Sequence, residues 1–166
     1  PEPPVAWAMT RGTTRGTSKR IPITESDLGI RVAAARGLFN HLLRTDQLEA
    51  IDGYSLNLNY PSVVGTMEVA GVETPYGFSS GIYVRHAAEA TPAEILPAQE
   101  EIDALGGGTT PGAWKRRFEM IYQRTKDASI TMCAGVCPSI IEFGNYLQRQ
   151  HRVLPKKLWR MRALAA

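Results

Sequence analysis

The chain has 166 residues, 43% of them hydrophobic and 21% charged, the composition of a globular core. No apolar run approaches the ~20 residues of a membrane helix. The start, "PEPP", has neither the basic region nor the apolar stretch of a secretory leader. These features predict a cytoplasmic protein with no membrane partner. A net charge of +3 names no polyanionic partner, and the basic run Lys156, Lys157, Arg160 and Arg162 contains only Trp159 as an aromatic. Nucleic-acid binding wants a basic face interleaved with several aromatics, so that run reads as a solvated tail.

In chain order, "VAWAM" (Val5 to Met9) reads as a buried strand. A Gly/Thr-rich loop follows. "IPIT" is a short extended piece, because Pro22 steers Ile21 away from helix. Thr24 has the chemistry of an N-cap, with Asp27 three residues on as its capping-box partner. From Glu25 to about Arg44, Leu28, Val32, Ala35, Phe39 and Leu42 recur at steps of four and three, one face of a helix. Gly29 and Gly37 weaken it by about 1 kcal/mol each relative to Ala.

"YSLNLNY" (Tyr54 to Tyr60) alternates like a strand that Pro61 ends, and "VVGTMEV" suits another strand. "YGFSSGIYVRHAAE" has no clear type. Thr91–Pro92 and Pro97 read as helix starts, and Gly106 to Gly108 stop the second helix. Thr110–Pro111 opens a helix with Trp114, Phe118 and Ile121 on one side. "ASITMCAGV" is a buried strand, Gly135 and Pro138 bound a turn, and "SIIEFGNYLQRQH" is a helix with Ile140, Ile141, Phe143, Tyr146 and Leu147 as its apolar residues. "KKLWRMRALAA" offers no clear closing element. This order predicts a layered α/β fold.

Most candidate chemistry reduces to ordinary structure. Cys133 and Cys137 lack C-x-x-C spacing and further metal ligands, so two buried thiols are expected. His86 has no Ser/Asp partner pattern. Ser79–Ser80–Gly81 is not a nucleophile elbow. Glu100 and Glu101 fit a solvated helix face.

The loop "MTRGTTRGTSKRIPIT" is different. Glycines let backbone approach an anion, free N–H groups form an anion nest, hydroxyls donate and a lysine adds a mobile charge. Gly12 and Gly16 stand one residue too close for a P-loop, and G-x-G-x-x-G is absent. The loop resembles the [ST]-[ST]-G-[ST]-[ST]-x-G-x-x-K signature of the adenylate-forming superfamily, the acyl-CoA synthetases and luciferases, through Thr10, Gly12, Thr13, Thr14, Gly16 and Lys19. The continuation Lys19-Arg20-Ile21-Pro22-Ile23-Thr24 is similar to the acyl acid-amido synthetase branch, the auxin- and jasmonate-conjugating type. "ITMCAGVCPSIIEFGNYL" resembles that branch's G-V-P segment with Cys137 inserted, and "LPKKLW" its approach to the next strand.

The resemblance implies an α/β fragment of the large N-terminal domain of adenylate-forming enzymes, part of a longer protein. Residues 5–44 would carry the phosphate loop and 54–155 an acyl-binding core. It implies ATP with Mg²⁺ and a carboxylic acid as ligands, giving an acyl-adenylate and then transfer to an amine or thiol. Gly12 and Gly16 would supply the nest, Thr10, Thr13, Thr14 and Ser18 the hydroxyls, and Lys19 the cation. Phe78, Ile82, Tyr83, Val136 and Pro138 are candidates for the acyl pocket. Arg11 departs from the pattern's Ser or Thr. No Y-x-[ST]-[ST]-E motif, ribose-binding acid, magnesium ligand or catalytic-lysine domain is found. A degenerate nucleotide- or acid-binding module, or a plain interaction domain, are the alternatives.

Overall fold

The computed structural model describes residues 2–10, 18–88, 90, 94–108 and 110–165. Two four-stranded sheets carry the chain. The first comprises β1 (Ala6–Met9), β2 (Arg20–Ile23), β4 (Gly65–Val69) and β5 (Val72–Gly77) in the order β2-β1-β5-β4. It joins two antiparallel hairpins through the parallel β1–β5 pair, Trp7 opposite Tyr76 and Ala8 opposite Gly77. The second comprises β3 (Tyr54–Asn57), β6 (Ile95–Leu96), β7 (Ile130–Ala134) and β8 (Ala163–Ala165), all parallel, in the order β6-β3-β7-β8. The mixed α/β class expected from the sequence is observed. The C-terminal stretch does close on an element, since β8 pairs with β7.

Helix α1 (Glu25–Arg44) starts at Thr24, whose hydroxyl accepts from the Asp27 amide at 3.2 Å. Asp27 accepts in return from the Thr24 amide at 3.1 Å, and that bond holds its carboxyl below the ordinary range. Helix α2 (Ser79–Ala87) occupies the stretch the sequence left untyped. Helix α3 (Gln99–Asp103) begins two residues after Pro97, and the Thr91–Pro92 start lies outside the described residues. Helix α4 (Pro111–Thr125) is capped by Thr110. Helix α5 (Cys137–Tyr146) takes Pro138 into its first turn, so Pro138 opens a helix rather than bounding the turn before it. A π-helical turn, Leu147–His151, extends it, and α6 (Pro155–Leu158) leads to β8.

The main core lies on the parallel sheet, where Leu56, Leu58, Phe118, Ile121, Ile130, Cys133, Phe143, Leu147 and Trp159 pack together. A smaller one, Ala6, Ala8, Ile23, Leu28 and Ile82, lies under α1 and α2. Two sequence expectations are corrected here. Strand β3 stops at Asn57, because Leu58 to Ser62 continues as buried chain outside the sheet. Cys137 is exposed at the start of α5, so only Cys133 is a buried thiol, and burial pushes it up to about 12.

Candidate functional site

The Gly/Thr loop is a hairpin loop between β1 and β2, so a strand rather than the helix follows it directly. Its neck is closed by three hydrogen bonds. The Thr10 amide donates to the Lys19 carbonyl at 2.8 Å, the Lys19 amide donates to Thr10 Oγ1 at 3.0 Å, and the Ser18 hydroxyl donates to the Thr10 carbonyl. Thr10 Oγ1 accepts in this arrangement, and a hydroxyl can donate as well as accept. Ser18 already uses its proton on the neck. Lys19 is exposed. Arg20 lies over the Tyr76 ring, 4.2 Å from its centroid. Gly12, Thr13, Thr14 and Gly16, with Arg11, lie outside the described residues.

A second feature sits at the matching end of the parallel sheet. The chain leaving β3 rejoins that sheet at β6 on one side, and the chain leaving β7 rejoins it at β8 on the other. Diverging connections of this kind leave a crevice beyond the carboxyl ends of the two strands, the usual ligand position in such sheets. A cavity of about 320 Å³ lies there, lined by Tyr60, Trp114, Phe118, Pro138, Ser139 and Glu142. Tyr60 meets Phe78 at 5.0 Å between centroids and Trp114 edge-on at 5.1 Å. Phe78 follows Gly77, which pairs with Ala8 beside the loop neck. One chain of contacts therefore joins the loop end of the first sheet to this cleft.

A buried polar network fixes the segment that carries Tyr60. Asn57 Nδ2 donates to Gln99 Oε1 at 3.1 Å and to the Pro97 carbonyl at 3.2 Å, while its Oδ1 accepts from the Asn59 amide at 3.1 Å. Gln99 Nε2 donates to the Tyr60 carbonyl at 3.0 Å. Asp103 accepts from the Ser62 amide at 2.6 Å and from the Ser62 hydroxyl, and Arg85 approaches it at 3.6 Å. Gly77 and Gly81 let α2 press on this segment. A Cβ on either would meet the Ser62 or Tyr60 carbonyl oxygen at 2.0 Å.

The five acyl-pocket candidates do not converge. Pro138 lines the cleft, and Phe78 is buried behind Tyr60. Ile82 lines a different hollow with Glu25, Arg85 and His86, near the amino end of β1 and away from the loop. Tyr83 donates its hydroxyl to the Arg31 carbonyl at 3.2 Å, and Val136 is 37% exposed. His86 has Glu25 at 3.7 Å. Glu101 is not a free solvated acid, since Arg124 meets it at 2.6 Å. Sequence reading passed over Tyr60, Arg117 and Ser139. The signal in sequence was slight, because Asn57 and Asn59 sit at the polar positions of an alternating strand pattern.

The fold is shared with the AtGH3.15 acyl acid amido synthetase in complex with 2,4-DB, at a TM-score of 0.51 and 16% identity over 89% of this chain. The match spans 24% of that protein, so this chain corresponds to about a quarter of its length. No family model and no curated protein sequence matches the chain. Among the described residues no helix is long and apolar enough to cross a membrane, and no cluster of three His, Cys, Asp or Glu could hold a metal.

Proposed function

We propose that this chain is the phosphate-loop portion of an ATP-dependent adenylate-forming ligase of the acyl acid amido synthetase type, acting as part of a longer polypeptide. One observation carries the reading: a Gly/Thr/Ser/Lys hairpin loop, closed at its neck by Thr10 and Lys19, in a fold shared with such a synthetase. The whole enzyme would join a carboxylic acid to AMP with release of pyrophosphate, then pass the acyl group to an amine or thiol. The loop's task is to hold the departing phosphates. Backbone N–H groups at Gly12 and Gly16, hydroxyls at Thr10, Thr13 and Thr14, and the Lys19 ammonium would stabilise their charge in place, where positioning and electrostatics dominate. Ser18 serves by holding the neck. Magnesium suits this site as an ion carried in by ATP, because it is usually held largely by substrate phosphates and water.

The test is ATP–pyrophosphate exchange by the full-length polypeptide. Lys19→Ala with Gly12→Val is expected to lower exchange by at least a hundredfold while the circular dichroism spectrum stays unchanged. Unchanged exchange would end the loop assignment. Arg11, where the superfamily pattern has Ser or Thr, favours a second reading, a degenerate module that binds nucleotide without turnover. Nucleotide binding without exchange in the unmutated protein would select it.

A further inference from the structure

The basic run that reads from sequence as a solvated tail is folded in place. Between α5 and β8 the chain is pinned from inside. Leu147 is buried, the Val153 amide donates to the Leu147 carbonyl at 3.4 Å, and the buried Trp159 donates its indole N–H to the Thr125 carbonyl at 2.8 Å. The Arg162 amide donates to the Thr131 carbonyl at 2.6 Å. With these groups turned inward, Arg149, Arg152, Lys156, Lys157 and Arg160 are all exposed. From Phe143 to Ala166 there is no Asp or Glu. Carboxylates of other elements meet only His151, from Glu119 at 3.0 Å, and Arg162, from Glu49 at 2.8 Å. Among the described residues none pairs with the five exposed cations. Helix carboxyl ends favour cations, which accounts for Arg149 but not for five charges left unbalanced. In their midst Leu154 is 42% exposed, two residues beyond Arg152, whose φ of 56° turns the chain out of the helix.

We propose that this surface docks on an anionic lipid bilayer, with the five cations among the headgroups and Leu154 at the boundary between headgroups and acyl chains. Each clustered cation adds to binding at an anionic leaflet, and an inserted apolar side chain adds a contribution that salt does not screen. A nucleic acid would match the charge, but it wants exposed rings on which bases stack. Trp159, the one aromatic of the run, faces inward with its N–H already used. The exposed apolar residue among the cations is Leu154, which suits lipid instead. The sequence expectation of no membrane partner rests on the lack of an apolar span, and docking of this kind needs none. The proposal does not rest on the ligase reading and uses none of the loop's residues.

Co-sedimentation of the full-length polypeptide with vesicles tests it, using phosphatidylcholine alone and phosphatidylcholine with phosphatidylserine in equal parts. Binding to the phosphatidylserine vesicles is expected to be tighter by at least about a hundredfold, and to fall steeply as salt rises. Arg152→Gln, Lys156→Gln and Lys157→Gln together are expected to lower it by at least about thirtyfold, with melting temperature and ATP–pyrophosphate exchange unchanged. The charge-keeping Arg152→Lys is expected to bind as the unmutated protein does, and Leu154→Ser several-fold more weakly. Equal binding to the two vesicles, undiminished binding by the triple variant, or displacement from the vesicles by single-stranded RNA at an equal concentration of phosphate groups would overturn the proposal. Should the triple variant not fold, Lys156→Gln alone still decides it, with binding about fivefold weaker expected and unchanged binding counting against it. Exchange and sedimentation are read separately, so the ligase reading and this one fail independently.

Discussion

The connections that leave the carboxyl ends of β1 and β3, each a strand with a parallel neighbour, are built on opposite plans. Among the described residues, three hydrogen bonds tie the neck of the loop after β1. The segment after β3, Leu58 to Ser62, is buried along its length and tied to α3 by Asn57, Gln99 and Asp103. In the proposed role the first would offer donors to the phosphates. The second gives its hydrogen-bonding capacity to the protein, and so sets Tyr60 rigidly in the cleft wall. A site that handles a departing, shifting group suits the first plan, and a site that must keep a shape suits the second.

The comparison can be broken most severely at Gly81. Gly81→Ala drives a methyl into the Tyr60 carbonyl, and a loss on the order of 3 kcal/mol or more is expected in chemical denaturation. Asp103→Ala leaves the buried Ser62 amide without its acceptor and is expected to cost about 2 kcal/mol. Glycines on α1 should behave oppositely, since a Cβ at Gly29 or Gly37 meets nothing within 4 Å. Ala at each is expected to stabilise by about 0.5–1 kcal/mol. The smallest effect is expected at the loop neck. Thr10→Val removes an exposed acceptor and should cost under about 1 kcal/mol.

A pH titration sharpens the picture away from both connections. Glu119 accepts from Gln123 at 2.8 Å and from the Tyr146 hydroxyl, and it faces His151 at 3.0 Å. These bonds hold its carboxyl at about 2. A carboxyl lowered in the folded state stabilises the fold above its unfolded value near 4.5. That contribution is lost as pH falls from there toward about 2. Glu119→Gln is therefore expected to flatten the acid limb of a stability–pH profile. An unchanged limb would show that the solvent-exposed half of this carboxylate screens the effect away.

The sequence made the elements legible wherever local chemistry dictated them. Thr24 and Asp27 marked the start of α1, Thr110–Pro111 marked α4, and the β-favouring run around Thr131 marked β7. It made the hairpin loop conspicuous through its hydroxyls and glycines. The cleft was not legible, because its members have ordinary local roles. Trp114 and Phe118 read as the apolar face of a helix, and Arg117 between them reads as a surface residue until the packing buries it. Gly77 and Gly81 are likewise unremarkable in sequence, and their meaning comes from the earlier segment around Tyr60 to Ser62 pressing against them. The acyl-pocket candidates failed to converge for the same reason, since two sheets send Ile82 and Pro138 to different hollows.

The parallel β1–β5 pair sets an order of assembly. Each hairpin of the first sheet closes locally, β1 on β2 and β4 on β5, whereas Trp7 must find Tyr76 across most of half the chain. Contacts that close long stretches of chain form late, because their entropy must be lost before they reward it. The connection between β1 and β2 can therefore acquire its neck early and acquire its neighbours last, so that during synthesis the first hairpin exists for a time as a closed unit with β5 not yet beside it.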